Sequence, residues 1–138
     1  MLILDTNVIS ESMREKPAPQ VIAWFSAQPV EQTYTTTITE AETFSGIEQM
    51  PASKRRTLLR SIAESYFEED FKGRLLPFDS AAARVCASIV AACKAKGKPA
   101  GFADAQIAAI VRLHGATLAT RNTVHFENCG IRLFNPWL

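Results

Sequence analysis

Met1-Leu2-Ile3-Leu4-Asp5-Thr6-Asn7-Val8-Ile9-Ser10 opens the chain, and the reading of this stretch decides the fold. Leu2-Ile3-Leu4 is apolar at every position rather than at alternate ones, the pattern of a strand covered on both faces and closed by the polar Asp5-Thr6-Asn7. Such strands are parallel and central, and parallel neighbours need helical crossovers between them. The rest of the chain supplies those crossovers. Val8 to Met13 and Val21-Ile22-Ala23-Trp24-Phe25 predict two short helices separated by Pro17 and Pro19. Gln32 to Thr36, rich in Thr and Tyr, predicts a second strand, and Thr37-x-x-Glu40 has the form of a capping box opening a helix towards Gly46.

Further along, Pro51 is placed to start a longer helix in which Leu58, Leu59, Ile62 and Tyr66 keep helical spacing, with Lys54, Arg55, Arg56 and Arg60 on its outer face. Leu75-Leu76 reads as a brief strand before Asp79, which is set to cap an Ala-rich helix reaching Lys96, with Gly97 as the stop. A helix from about Ala103 to His114-Gly115, a strand at Thr117 to Thr120 and a last strand at Ile131 to Phe134 complete the pattern. Strands and helices alternate without repeats or long linkers, so the expectation is one α/β domain over residues 1–138 with a small parallel sheet.

Composition bounds the function. A chain of 138 residues has the length of one ordinary domain, and 47% hydrophobic with 21% charged residues is the balance of a globular protein. The net charge of +1 excludes a grossly basic nucleic-acid binder, so a polyanion would have to meet a local patch. The longest apolar stretch, Val85 to Cys93, is about half the roughly 20 residues that span a bilayer. The N-terminus lacks the basic and long apolar regions of a secretion signal, and three cysteines do not make a disulfide framework, so a cytoplasmic location is expected. Cys86 and Cys93, seven apart on a helix, read as small core residues. Trp24, Phe25, Tyr66, Phe67 and Trp137 exceed the needs of a small core, and some are expected at the surface, where they would serve a partner.

Asp5 and Asp104 stand in apolar surroundings, and Asp5 must lie at the carboxyl end of its strand, where ligand sites collect in open α/β sheets. Each has a competing structural role: Asp5 as a helix cap, Asp104 as a first-turn acid favourable to the helix dipole. Glu42 could close a box with Thr39, but with Thr37 and Glu40 as the box it is free to face the sheet. Three converging carboxylates repel, by about 4 kcal/mol for a pair 4 Å apart at an effective dielectric near 20. A magnesium or manganese ion would relieve that repulsion and suits phosphate chemistry. Other chemistries lack their motifs. There is no CxxC pair to complete a zinc site with His125 and Cys129, no GxSxG elbow, and no phosphate-binding glycine loop. Asn7 also stands where a DxDx[TV] phosphatase needs its second aspartate.

Leu2 to Ser10, Thr37-Ile38-Thr39-Glu40-Ala41-Glu42, Asp104-Ala105-Gln106-Ile107-Ala108-Ala109, Leu118-Ala119-Thr120-Arg121-Asn122 and Asn135-Pro136-Trp137 together resemble the PIN-domain toxins of the VapC and FitB type. The resemblance implies a three-layer α/β/α fold and a magnesium- or manganese-dependent endoribonuclease, the toxin of a bacterial type II toxin-antitoxin pair. It puts Asp5, Glu42 and Asp104 at the metal-ligand and catalytic positions, with Asp5 and Asp104 holding the ion and Glu42 orienting or deprotonating a water. Thr6 and Asn122 would support those ligands by hydrogen bonds, and Arg121, Arg14 and Lys16 would contact phosphates. It further implies RNA as substrate, a homodimer, and a cognate antitoxin that inserts an arginine into the acidic site and carries the pair to operator DNA. One position departs from the family pattern: Asn122-Thr123-Val124-His125-Phe126 has histidine where a fourth acid is common. His125 is open to three roles, as neutral metal ligand, phosphate-facing cation or plain loop residue. That departure also keeps open an alternative, a dimeric PIN-fold binding module without catalysis.

Overall fold

A computed structural model describes all residues, 1–138. Five strands form one parallel sheet in the order β3-β2-β1-β4-β5: β1 (Leu2–Leu4), β2 (Thr33–Thr36), β3 (Leu75–Leu76), β4 (Thr117–Ala119) and β5 (Arg132–Phe134). The opening strand is indeed central. Its alternate side chains feed different cores. Ile3 joins Leu118 and the buried faces of α5 (Ser80–Ala95) and α6 (Phe102–Leu113), whereas Leu4 joins Ala119, Val8 and Ile9 of α1 (Thr6–Ser12), Ile47 of α3 (Thr37–Glu48) and Ala63 of α4 (Lys54–Ser65). The sheet is thus the middle of three layers, α/β/α, as the resemblance implies. The remaining helix, α2 (Pro19–Ser26), places Trp24 against Phe134 with ring centroids 5.3 Å apart.

The chain leaves β1 towards β2 and β3 on one side, then returns to β4 and β5 on the other, so the strand order reverses between β1 and β4. A crevice opens outside the carboxyl ends of two strands whose crossovers diverge, and the rest of the site is built there.

Several sequence expectations are corrected. The N-cap of α3 is Thr36, whose hydroxyl accepts from the Thr39 N–H, not Thr37; the Thr37 hydroxyl accepts from the Phe78 N–H instead, tying α3 to the segment after β3. The helix also runs through Gly46 to Glu48. Pro51 stays outside α4, which starts at Lys54 under the Ser53 cap, because the Ser53 hydroxyl accepts from the Arg56 N–H. Leu58 is 61% exposed rather than core, and Arg56 and Arg60 fork onto Glu48 of α3 instead of standing free. Of the five aromatics expected in part at the surface, none is exposed: Phe67 is buried and the others are half-buried. Cys86, Cys93 and Cys129 are free and buried, and burial pushes the Cys86 and Cys129 thiols up, Cys129 to about 12, the character of inert core residues. No helix is long and apolar enough to cross a membrane.

Candidate active site

Asp5 ends β1 and caps α1, so the structural and functional roles weighed for it fall on one side chain. Its Oδ1 accepts from the Thr6 N–H at 2.8 Å, and its Oδ2 accepts from the Asn7 amide at 3.1 Å and the Thr120 hydroxyl at 2.7 Å. Thr120 follows β4, so its bond to Asp5 spans the point where the strand order reverses. The same threonine oxygen accepts from the Asn122 N–H and the Asn7 amide, and the Asn7 Oδ1 accepts from the Arg121 N–H. The two strand ends are therefore sewn together by side chains, and the 4%-exposed Asp5 carboxylate is fixed in one orientation.

Glu42, in α3, is exposed and faces the crevice, not the sheet as expected; its carboxylate accepts from the Thr6 hydroxyl at 2.7 Å. Asp104, in the first turn of α6, keeps a partly exposed carboxylate whose Oδ2 lies 3.4 Å from His125 Nδ1. Asp5, Glu42 and Asp104 line one open cavity of about 460 Å³, together with Thr6, Arg121 and Asn122. His125 does not line it. It stands behind Asp104, on a neighbouring cavity of about 520 Å³ that shares only that aspartate. Arg14 reaches the acidic cavity, but Lys16 does not.

The electrostatics follow from burial and like charge. Desolvation pushes the Asp5 carboxyl up from its ordinary 3.8, the hydrogen bonds from Thr120 and Thr6 pull it part of the way back, and Asp104 and Glu42 push it up again. No lysine or arginine pairs with any of the three acids; Arg14 is held by Glu11 at 3.1 Å. All ligating atoms on offer are hard oxygens, the donor set of magnesium or manganese. The residues fit such an ion, with one qualification of geometry: no three acids, histidines or cysteines stand close enough to form a finished cage. An ion here would be held by one or two of the carboxylates, with waters supplying the rest, as is usual for magnesium.

Sequence reasoning passed over four residues of this site. Asn7 and Thr120 orient Asp5, and Thr120 was findable because it directly follows a strand beside β1. Glu11 is buried at the cavity, accepting from the Ala18 N–H and from Arg14; burial pushes its carboxyl up, but these partners outweigh it and hold it below the ordinary 4.5. Trp137 is the single apolar residue of the lining. Its place in the Asn135-Pro136-Trp137 motif and among the surplus aromatics did not point to the acids, since its neighbourhood depends on where β5 ends.

A doubly covered parallel sheet with acids gathered at its switch point defines an α/β protein whose ligand site stands at the carboxyl edge of the sheet. The chain belongs to the PIN domain family, whose model matches residues 2–130. It is 44% identical over 99% of its length to VapC ribonuclease Y4jK of Sinorhizobium fredii, covering 98% of that protein. It is 39% identical to toxin FitB of Neisseria gonorrhoeae, covering 99% of both. Among solved structures it is similar to FitAB bound to an IR36 DNA fragment, with a TM-score of 0.93 and 38% identity over 100% of this chain and 96% of that one.

Proposed function

We propose that this chain is a magnesium- or manganese-dependent endoribonuclease and the toxin of a type II toxin-antitoxin pair, acting in the cytoplasm as a homodimer and restrained by its cognate antitoxin. The observation that carries the reading is the meeting of Asp5, Glu42 and Asp104 on one open, polar cavity in which no lysine or arginine pairs with any of them. Likeness to a VapC ribonuclease and to toxin FitB supports the substrate and the biological role. A FitAB assembly on DNA supports an antitoxin that brings the pair to its operator.

Asp5 and Asp104 would hold the ion, which would supply Lewis-acid polarisation of the scissile phosphate and make water a better nucleophile. Asp5 serves as the fixed ligand, since three hydrogen bonds leave it one rotamer. Glu42, exposed and steadied by Thr6, orients the attacking water and takes its proton. Asn122 supports this end of the site through its N–H bond to Thr120. His125, the feature behind the non-catalytic alternative, stands outside the cavity and leaves its three acids in place.

The test is cleavage of single-stranded RNA with magnesium, manganese or chelator, beside an Asp5→Asn control. Cleavage that requires the metal and vanishes in the variant is expected. Metal-independent cleavage, or none by the wild type, overturns the reading.

A further inference from the structure

Arg121 is the one cationic side chain at the acidic cavity that is free of an acidic partner, yet it pairs with none of the carboxylates around it. Its guanidinium carbon instead lies over the Trp137 ring, 5.1 Å from the centroid. Both members of this stack are anchored from behind. The Arg121 N–H donates to the Asn7 Oδ1 at 3.1 Å, beside Asp5. The Trp137 N–H donates to the Asn135 Oδ1 at 2.9 Å, its carbonyl accepts from the Gln20 amide, and Pro136 between them is buried. The half-buried indole packs against the core around Leu4, Val8 and Ile9, which holds it in place, and the exposed arginine lies over it, so the pair presents a cationic guanidinium face at the mouth of the cavity.

Resting on the nuclease reading above, we propose that Arg121 and Trp137 form a stacking platform for one unpaired nucleobase of a single-stranded RNA, next to the scissile phosphate. Guanidinium planes and aromatic rings are the two surfaces on which proteins stack splayed bases. A base in a duplex already has both faces covered, so the platform selects unpaired RNA. The role differs from the phosphate contact implied for Arg121 by charge alone, because stacking needs a planar group where a phosphate needs only a cation.

That difference sets the experiment. A short single-stranded oligoribonucleotide that the wild type cuts in magnesium is assayed for kcat and KM with wild type, Arg121→Lys, Trp137→Leu and Trp137→Phe. The same oligonucleotide is also prepared with an abasic nucleotide at each position flanking the cut. Arg121→Lys and Trp137→Leu are each expected to raise KM by about tenfold with much less effect on kcat, and Trp137→Phe to restore most of the loss. One abasic position should weaken the wild type by a similar factor and leave the weakened variants almost unchanged, since the base it removes has already lost its platform. If Trp137→Leu does not fold, Arg121→Lys and the abasic series decide, as both keep the tryptophan. Full activity of Arg121→Lys, or indifference of the wild type to every abasic position, overturns the platform while leaving the nuclease intact. Failure of the wild type to cut any such RNA removes the nuclease reading, and the platform with it.

Discussion

Replacing Asp5 by asparagine tests the acidic site through stability as well as through activity. The substitution keeps the shape of the side chain and its acceptor for the Thr6 N–H, but it sets an amide donor against the Asn7 amide at the place where Oδ2 now accepts at 3.1 Å. Turned over, the amide gives its oxygen to Asn7 and to Thr120, whose own oxygen already accepts from Asn7 and Asn122, and the Thr6 N–H loses its acceptor instead. One hydrogen bond to a charged group is lost, about 1.5–3 kcal/mol. Against this stands the largest influence on Asp5, its burial, reinforced by the two neighbouring acids. Because the folded state raises the Asp5 pKa above 3.8, the fold binds its proton more tightly than the unfolded chain does. The stability contributed by this group is therefore present below about 3.8 and is lost as pH rises through the raised value. At neutral pH without metal, the two effects oppose and the variant should melt within a few degrees of the wild type or above it.

Divalent metal breaks this near balance. A ligand at ten times its Kd stabilises by about 1.4 kcal/mol. With an unfolding entropy of about 2.1 cal/mol/K per residue, 138 residues convert that into a rise of about 5 °C for the wild type. Asp5→Asn should show little of the rise and no cleavage. Melting both proteins from pH 4 to 8, with magnesium and with chelator, isolates Asp5, because the other carboxylates are common to the pair and cancel in the difference. An equal metal-induced rise in the variant, or a difference curve flat in pH, refutes the assignment of Asp5 as a buried, metal-requiring carboxylate.

Other sites give independent expectations. Glu11→Ala leaves the Ala18 N–H without its acceptor and should cost about 1–2 kcal/mol in denaturant unfolding at pH 7; since the Glu11 pKa is lowered in the fold, its stabilisation is present above about 4.5 and lost as pH falls, so the variant and wild type converge in acid. Thr120→Val removes the hydroxyl that joins Asp5, Asn7 and the Asn122 N–H, and should weaken magnesium binding by about tenfold by calorimetric titration while the fold survives. Ile107→Ala, fully buried in α6, should cost about 2–5 kcal/mol, read as a fall in the denaturant midpoint at unchanged slope. An arginine inserted by the antitoxin would meet Glu42 and Asp104, so its replacement by alanine should restore cleavage more than it dissolves the complex; full silencing by that antitoxin variant would mean that inhibition works by covering the RNA path.

The fold was legible because its central strand has no solvent face. Leu2-Ile3-Leu4 can be uniformly apolar only if helices cover both sides, and Ile3 and Leu4 do enter opposite cores. Element ends were harder where several residues could do the same work. Thr35, Thr36, Thr37 and Thr39 all carry a hydroxyl able to cap α3, and the choice of Thr36 is tertiary: Thr35 donates to the Leu4 carbonyl, and Thr37 is taken by the Phe78 N–H from beyond β3. Pro51 is likewise a competent first-turn residue, displaced because Ser53 supplies an acceptor that proline lacks.

The site divides along the same line. Asp5 could be located from its strand alone, because residues that follow a central parallel strand must stand at the ligand-binding edge. Glu42 and Asp104 lie in helices, where their spacing allows several faces, and it is the convergence of α3 and α6 on one cavity that selects them. His125 shows the reverse: its place in the family pattern points to the metal, yet the turn at Thr123–Phe126 buries Phe126 and leaves the histidine on the far side of Asp104. Arg121 and Trp137 are the extreme case. Neither residue signals the other, and their contact exists only because Thr120 and Phe134 end adjacent parallel strands, joined by the bond from the Thr120 N–H to the Phe134 carbonyl, so that the chain leaves both at the same edge. What parallel topology imposes on Asp5, it imposes equally on the residues after β4 and β5, and this is why an arginine and a tryptophan from two separate motifs arrive together at the acids.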